Sequence, residues 1–225
     1  MRILSSPVTF AALATSLLAA LGGCSNNGLG ANFEGDVVMQ TTRPNSPPTT
    51  MTIKAKGDNI RIELPTPDGK TESAIYSSQQ NKLVVLLDAQ KLAMDLDMGA
   101  PGAPTANTDS RTSAVEKSGK SETIAGISCD DYVVKDPSGS RTETCVAKGL
   151  PYLDLDALRH GSTSSSWNRD MRANKTFPLR SVEYDASGKE ISRAEVTSVK
   201  KEKLDDALFQ VPADYKHMPA PQRAR

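Results

Sequence analysis

The sequence has 225 residues with 27 basic and 27 acidic side chains, so no overall charge draws it to nucleic acid or to an anionic surface. It holds two histidines, His160 and His217, and three cysteines, and it lacks Gly-x-Ser-x-Gly, His-Glu-x-x-His and a glycine-rich phosphate loop. Neither enzymatic chemistry nor a cofactor or metal is expected on that inventory.

The chain begins with Arg2, an apolar run from Val8 to Leu21, and then small residues, the three-part layout of a secretory signal. The run is too short to span a bilayer, which takes about 20 residues. Leu21-Gly22-Gly23-Cys24 then resembles the bacterial lipoprotein box. The resemblance implies removal of residues 1–23, lipidation of Cys24, and attachment through two or more acyl chains, enough for stable anchoring. The chain would then face the periplasm from the bacterial cell envelope. Ser25 rather than Asp follows the cysteine, which in enterobacterial sorting directs a lipoprotein to the outer rather than the inner membrane. Residues 24–31, polar and glycine-rich, read as the lipidated tether, residues 32–215 as one domain, and residues 216–225 as a flexible tail.

The body alternates in steps of two. Val37 to Met39 lie in the first apolar stretch. Met51, Ile53 and Ala55 alternate with Thr52 and Lys54, and Ile60, Ile62 and Leu64 with Arg61 and Glu63, the pattern of half-buried antiparallel strands. Lys56-Gly57-Asp58-Asn59, Pro67-Asp68-Gly69-Lys70 and Ser77 to Asn81 supply turns. Leu83 to Leu87 is continuously apolar, as in a strand buried on both faces. Leu92, Met94, Leu96 and Met98 then alternate with Ala93, Asp95 and Asp97. Such a methionine stripe belongs either to the core or to an adaptable apolar binding surface. On the second reading the candidate ligand-binding residues are Leu83, Val85, Leu87, Leu92, Met94 and Leu96. Asp95 and Asp97 share the opposite face, which reads as solvated rather than cation-binding.

From Gly99 to Ser113 the composition is that of a long loop. Beyond it, Tyr132 to Val134, Asp136-Pro137-Ser138-Gly139 and Arg141 to Cys145 read as strand, turn, strand. With Cys24 lipidated, Cys129 and Cys145 remain as a pair in an oxidising compartment, where a disulfide across this hairpin is expected. Leu150 to about Ala173 carries helical spacing in Leu153, Leu155 and Leu158, interrupted at Gly161 to Ser166, with Trp167 and Met171 resuming four residues apart. Strands return at Phe177 to Tyr184 and Ile191 to Val199. Lys200, Lys201 and Lys203, interrupted by Glu202, read as a solvated face. About ten strands and one short helical insertion define a mainly β fold, an antiparallel curved sheet or half-barrel with the insertion packed on it.

Phe33-Glu34-Gly35, Gly126-x-x-Cys129 with Cys145, Phe177-Pro178-Leu179, and the ending Leu208-Phe209, Val211-Pro212 and Tyr215 resemble a bacterial lipoprotein family carrying a domain of unknown function. That domain is similar in outline to the LolA/LolB-like half-barrels. The resemblance implies an apolar concavity able to hold lipid chains, and it carries over no site residue. Two readings stand: an anchored carrier or receptor for a lipid or other apolar ligand, and a structural lipoprotein with a closed core that contacts envelope proteins.

Overall fold

Alternation resolves into twelve strands in the computed structural model, which describes residues 29, 32–66, 68–97, 114–150 and 166–219. The strands are β1 (Glu34–Arg43), β2 (Ser46–Lys56), β3 (Asn59–Pro65), β4 (Thr71–Ser77), β5 (Lys82–Leu87), β6 (Leu92–Asp97), β7 (Ala114–Ile124), β8 (Ile127–Lys135), β9 (Arg141–Lys148), β10 (Thr176–Tyr184), β11 (Glu190–Lys201) and β12 (Lys216–Pro219). The helix α1 (Ser166–Ala173) precedes β10, and a 3-10 turn, Asp206–Phe209, follows β11. The signal, Cys24, Met98, the Gly99 to Ser113 loop, Leu153, Leu155, Leu158 and His160 lie outside the described residues.

All twelve strands form one sheet in the order β12-β6-β5-β4-β3-β2-β1-β11-β10-β9-β8-β7. β1 to β6 is a meander running one way from β1, and β7 to β11 a second meander reaching β1 from the other side through the β1–β11 pair. Every pairing is antiparallel except β12 with β6. β12 and β7 are edges, so the sheet stays open. A sheet this wide curls rather than lying flat, and one buried apolar cluster runs across it from Leu83 on β5 to Cys129 on β8.

Turn chemistry sets the register. Ala125 and Gly126 both have positive φ, 48° and 80°, the two-residue connection that matches the twist of flanking strands. Gly35 serves a different purpose. It lies in β1 at φ 148°, opposite Lys201, and a Cβ there would stand 2.0 Å from the Lys200 carbonyl oxygen.

Three expectations are revised. Residues 216–219, assigned to a flexible tail, form β12 along β6, with Lys216 opposite Leu92 and Met218 opposite Met94. Leu29, assigned to the tether, is a core residue only 1% exposed, and its amide donates to the Lys148 carbonyl at 2.7 Å. Twelve strands stand where about ten are expected. One of them, β7, is exposed along all but its last residue, so it carries no apolar alternation to read. As an edge it is blunted by charge, Glu116, Lys117, Lys120 and Glu122, and by an irregular register between Lys117 and Ser121.

β5 is covered on both faces. Leu83 and Val85 join the main cluster, while Val84 and Leu86 join Ile75 and Ala93 in a second one on the other side of the sheet. The C-terminal segment covers that second cluster. Glu34 accepts the Leu204 amide at 2.7 Å, Lys56 donates to the Leu204 carbonyl at 2.8 Å, and Arg61 donates to the Leu208 carbonyl at 3.3 Å. Val211 and Tyr215 then pack on the apolar patch before β12 begins.

Candidate functional site

The six candidate binding residues fall on one face. In the β5–β6 pair Leu83 stands opposite Leu96, Val85 opposite Met94 and Leu87 opposite Leu92, and directly opposed residues share a face of the sheet. The same face continues through Tyr76 and Ala74 on β4, Ile60, Ile62 and Leu64 on β3, Ala55, Ile53 and Met51 on β2, and Val37 and Met39 on β1. It is the face of the main cluster.

This face is buried at one end, here called filled, and half-buried at the other, here called open. Because the hairpins alternate, one end of the β1–β6 half carries Glu34, Lys56, Asn59, Ser77 and Lys82, and the other carries Arg43, Pro65, Leu87 and Leu92. Near the first end Val37, Ala55, Ile60, Tyr76 and Leu83 are all buried, and Leu29, Phe33, Leu150 and Phe177 join them in the cluster. A salt bridge of 2.7 Å between Lys175 and Asp58 links the Asn174–Lys175 turn before β10 to the β2–β3 turn at this end, and the lysine holds the Asp58 carboxyl below its usual range. Toward the second end Met51, Leu64, Val85, Leu87, Leu92 and Met94 are only half-buried. Met218, in register with Met94 on β12, is 40% exposed and extends the stripe to the edge.

Of the six residues expected from sequence, Val85, Leu87, Leu92 and Met94 lie in this half-buried stretch, whereas Leu83 is buried at the other end opposite Leu96. Met51, Leu64 and Met218, on the same face, were not among the six. The alternation of Met51, Ile53 and Ala55 carried the strand signal, but nothing local says that strands distant in sequence share a face. Met218 sits in four residues too short and too mixed for a periodic pattern.

The back of the stripe is polar and occupied. Asp95 lies 3.2 Å from Lys82 and 3.5 Å from His217, so its carboxylate engages a strand neighbour and β12. No group of His, Cys, Asp and Glu among the described residues is placed to hold a metal ion. A cleft of about 220 Å³ lies on this side, lined by Ile75, Ser77, Lys82, Val84, Val211 and His217 among others. Another, of about 460 Å³, lies at the filled end beside Leu29, Phe33, Glu34 and Lys201. Neither of these two clefts is lined by a residue of the stripe.

In the other half of the sheet Cys129 and Cys145 are bonded and both fully buried, with Cα atoms 5.4 Å apart. Cys145 lies opposite Asp131, two residues along β8 from Cys129, so the bridge crosses the β8–β9 pair diagonally. Arg180 on β10 holds Glu122 on β7 with two bonds of 2.6 and 2.8 Å and lies 3.7 Å from Asp131. The guanidinium lowers the Glu122 carboxyl, while burial raises that of Asp131. Trp167 on α1 packs at 5.1 Å between ring centroids against Tyr132 on β8, and Met171, one turn later, is buried.

Fold and site together define an open, mainly antiparallel sheet with one filled and one open end of its inner face. The chain belongs to the DUF4412 family, a domain of unknown function whose model matches residues 33–215. No curated protein matches the sequence. Among solved structures it is similar to an uncharacterized conserved protein from Thermus thermophilus, at 13% identity and a TM-score of 0.49 over 83% of this chain and 91% of that one. A chain of the Pseudomonas aeruginosa MucA/MucB complex matches at 13% identity and a TM-score of 0.47, over 83% of this chain and 58% of the other, so this chain spans little more than half of that neighbour. A LolA superfamily protein from Nitrosomonas europaea matches at 14% identity and a TM-score of 0.36, over 83% and 93% of the two chains.

Proposed function

We propose that the protein is a lipid-anchored envelope lipoprotein whose open sheet binds a lipid or another apolar molecule at the open end of its inner face. The observation that carries this reading is the set of half-buried apolar residues Met51, Leu64, Val85, Leu87, Leu92 and Met94, with the exposed Met218, on one face, joined across β4 at Ala74, with the exposed Glu72 in the row between Leu64 and Leu87. Methionine and leucine side chains of this kind adapt to flexible apolar ligands. Left uncovered, a contiguous apolar patch is costly and marks a site of contact. The anchor is Cys24, processed after residue 23, with the domain in the periplasm and the outer membrane as its place of attachment. The function is one of binding rather than catalysis.

The second reading, a structural lipoprotein that contacts envelope proteins, is favoured by one observation: near Tyr76 and Leu83 the inner face is already filled by the chain itself. The two separate on a titration of the purified protein with a fluorescent fatty-acid probe. Saturable binding that is lost in Met94→Asp supports the carrier. An unsaturable response, identical in the variant, supports the interaction reading.

A further inference from the structure

Leu29 is clamped into the main cluster, with its amide on the Lys148 carbonyl, five residues after Cys24. Five residues reach at most about 18 Å when fully extended. β1, ten residues long, runs about 33 Å from the filled end to the open end. A bilayer that holds Cys24 therefore lies within that reach of Leu29, which brings the filled end of the sheet closer to it than the open end.

That end is basic where the tether leaves. Lys148, whose carbonyl holds Leu29, is exposed, and Lys201 and Lys203, both exposed, line the same cleft as Leu29. None of the three forms a salt bridge among the described residues. The two acids of the cleft are already engaged: Glu202 with Lys200 at 2.6 Å, and Glu34 with the Leu204 amide at 2.7 Å and Lys56 at 3.4 Å. The zero net charge of the chain thus conceals two exposed lysines that line the Leu29 cleft, Lys201 and Lys203, and a third, Lys148, whose carbonyl holds Leu29, none with a salt bridge among the described residues.

Resting on the lipid-anchor reading above, we infer that this filled end is a membrane-contact surface, on which Lys148, Lys201 and Lys203 meet anionic lipid headgroups and stand the domain upright. Each lysine held near an anionic surface strengthens association about fivefold. The stripe then points away from the bilayer that anchors the chain. Its ligand enters and leaves from the aqueous side, not by sliding from the membrane beneath.

The test uses full-length protein purified from membranes, with a single fluorophore at Gln79→Cys in the β4–β5 turn of the filled end or at Lys70→Cys in the β3–β4 turn of the open end. Each is reconstituted into phosphatidylcholine vesicles carrying a headgroup-linked energy acceptor, with and without phosphatidylglycerol. Quenching is expected to be several-fold stronger at position 79, with the difference widening when phosphatidylglycerol is present. K148Q/K201Q/K203Q, which alters only exposed side chains, should remove the widening. Equal quenching at both positions, stronger quenching at position 70, or indifference to phosphatidylglycerol overturns the surface. Intact mass separates the two layers: no lipid on Cys24 defeats the anchor and the surface together, whereas a lipidated protein without orientation defeats only the surface.

Discussion

Tyr215 donates a hydrogen bond from its hydroxyl to the carboxylate of Asp88, fastening the C-terminal segment to the β5–β6 turn. Lys91 of the same turn sits 4.9 Å over the Tyr215 ring and 3.3 Å from Asp214. The turn that joins the two stripe-bearing strands is thus held from behind by the end of the chain.

That bond gives a pH dependence. The Asp88 carboxylate, joined by burial, raises the Tyr215 hydroxyl from 10.0 to about 12. A group whose folded value lies above its unfolded one contributes fully below the unfolded value and loses its contribution as pH rises through the folded value. Stability attributable to this tyrosine should therefore be complete below about pH 10 and gone by about pH 12. Tyr215→Phe should be less stable than the wild type at neutral pH, with the gap closing across that interval in urea melts taken at stepped pH.

Leu29→Ala removes a fully buried side chain from the main cluster. Large-to-small changes of this kind cost about 2–5 kcal/mol, and equilibrium unfolding should show a loss in that range. A chain starting at Asn32 should lose at least as much, although Asn32 looks from sequence like the natural start of the domain.

The sheet was legible because alternation and turn residues are local signals. Met51-Ile53-Ala55 and Ile60-Ile62-Leu64 announce half-buried strands, and Gly57-Asp58 and Asp68-Gly69 announce where they reverse. The continuous run from Leu83 to Leu87 announced burial on both faces, which the Val211 and Tyr215 covering supplies. What was not legible depended on partners remote in sequence. Leu29 is one apolar residue among polar ones, and only its docking against Lys148 makes it core. Ser46-Pro47-Pro48 carries no apolar alternation, yet it extends β2 past the last β3 pairing, Thr52 with Glu63, where no β3 partner calls on the missing proline N–H groups.

Gly35→Ala should be among the most damaging single changes. The added Cβ meets backbone, which cannot swing aside, and alanine is strained at φ 148°. A loss of about 3 kcal/mol or more is expected from combined clash and strain, read from thermal or urea unfolding. A tolerated alanine would mean that β1 and β11 separate more easily than their register implies.

The Cys129–Cys145 bridge closes a separation of 16 residues. In the chain-entropy model that is worth about 3 kcal/mol. Both sulfurs are fully buried, so reductant should act only after unfolding: native protein should resist thiol reagents, while the reduced form should unfold at lower urea by the corresponding amount. Rapid reduction under native conditions would contradict the burial.

The measurement that bears most directly on the central claim is native mass spectrometry of the mature chain, secreted from Ser25 behind a conventional signal and purified without detergent, beside its Met94→Asp counterpart. A wild-type mass increased by one apolar molecule, released into organic solvent and absent from the variant, is the predicted result. A bare protein mass in both, with the variant folded and its disulfide intact, would contradict a ligand-binding stripe and leave the interaction reading in its place.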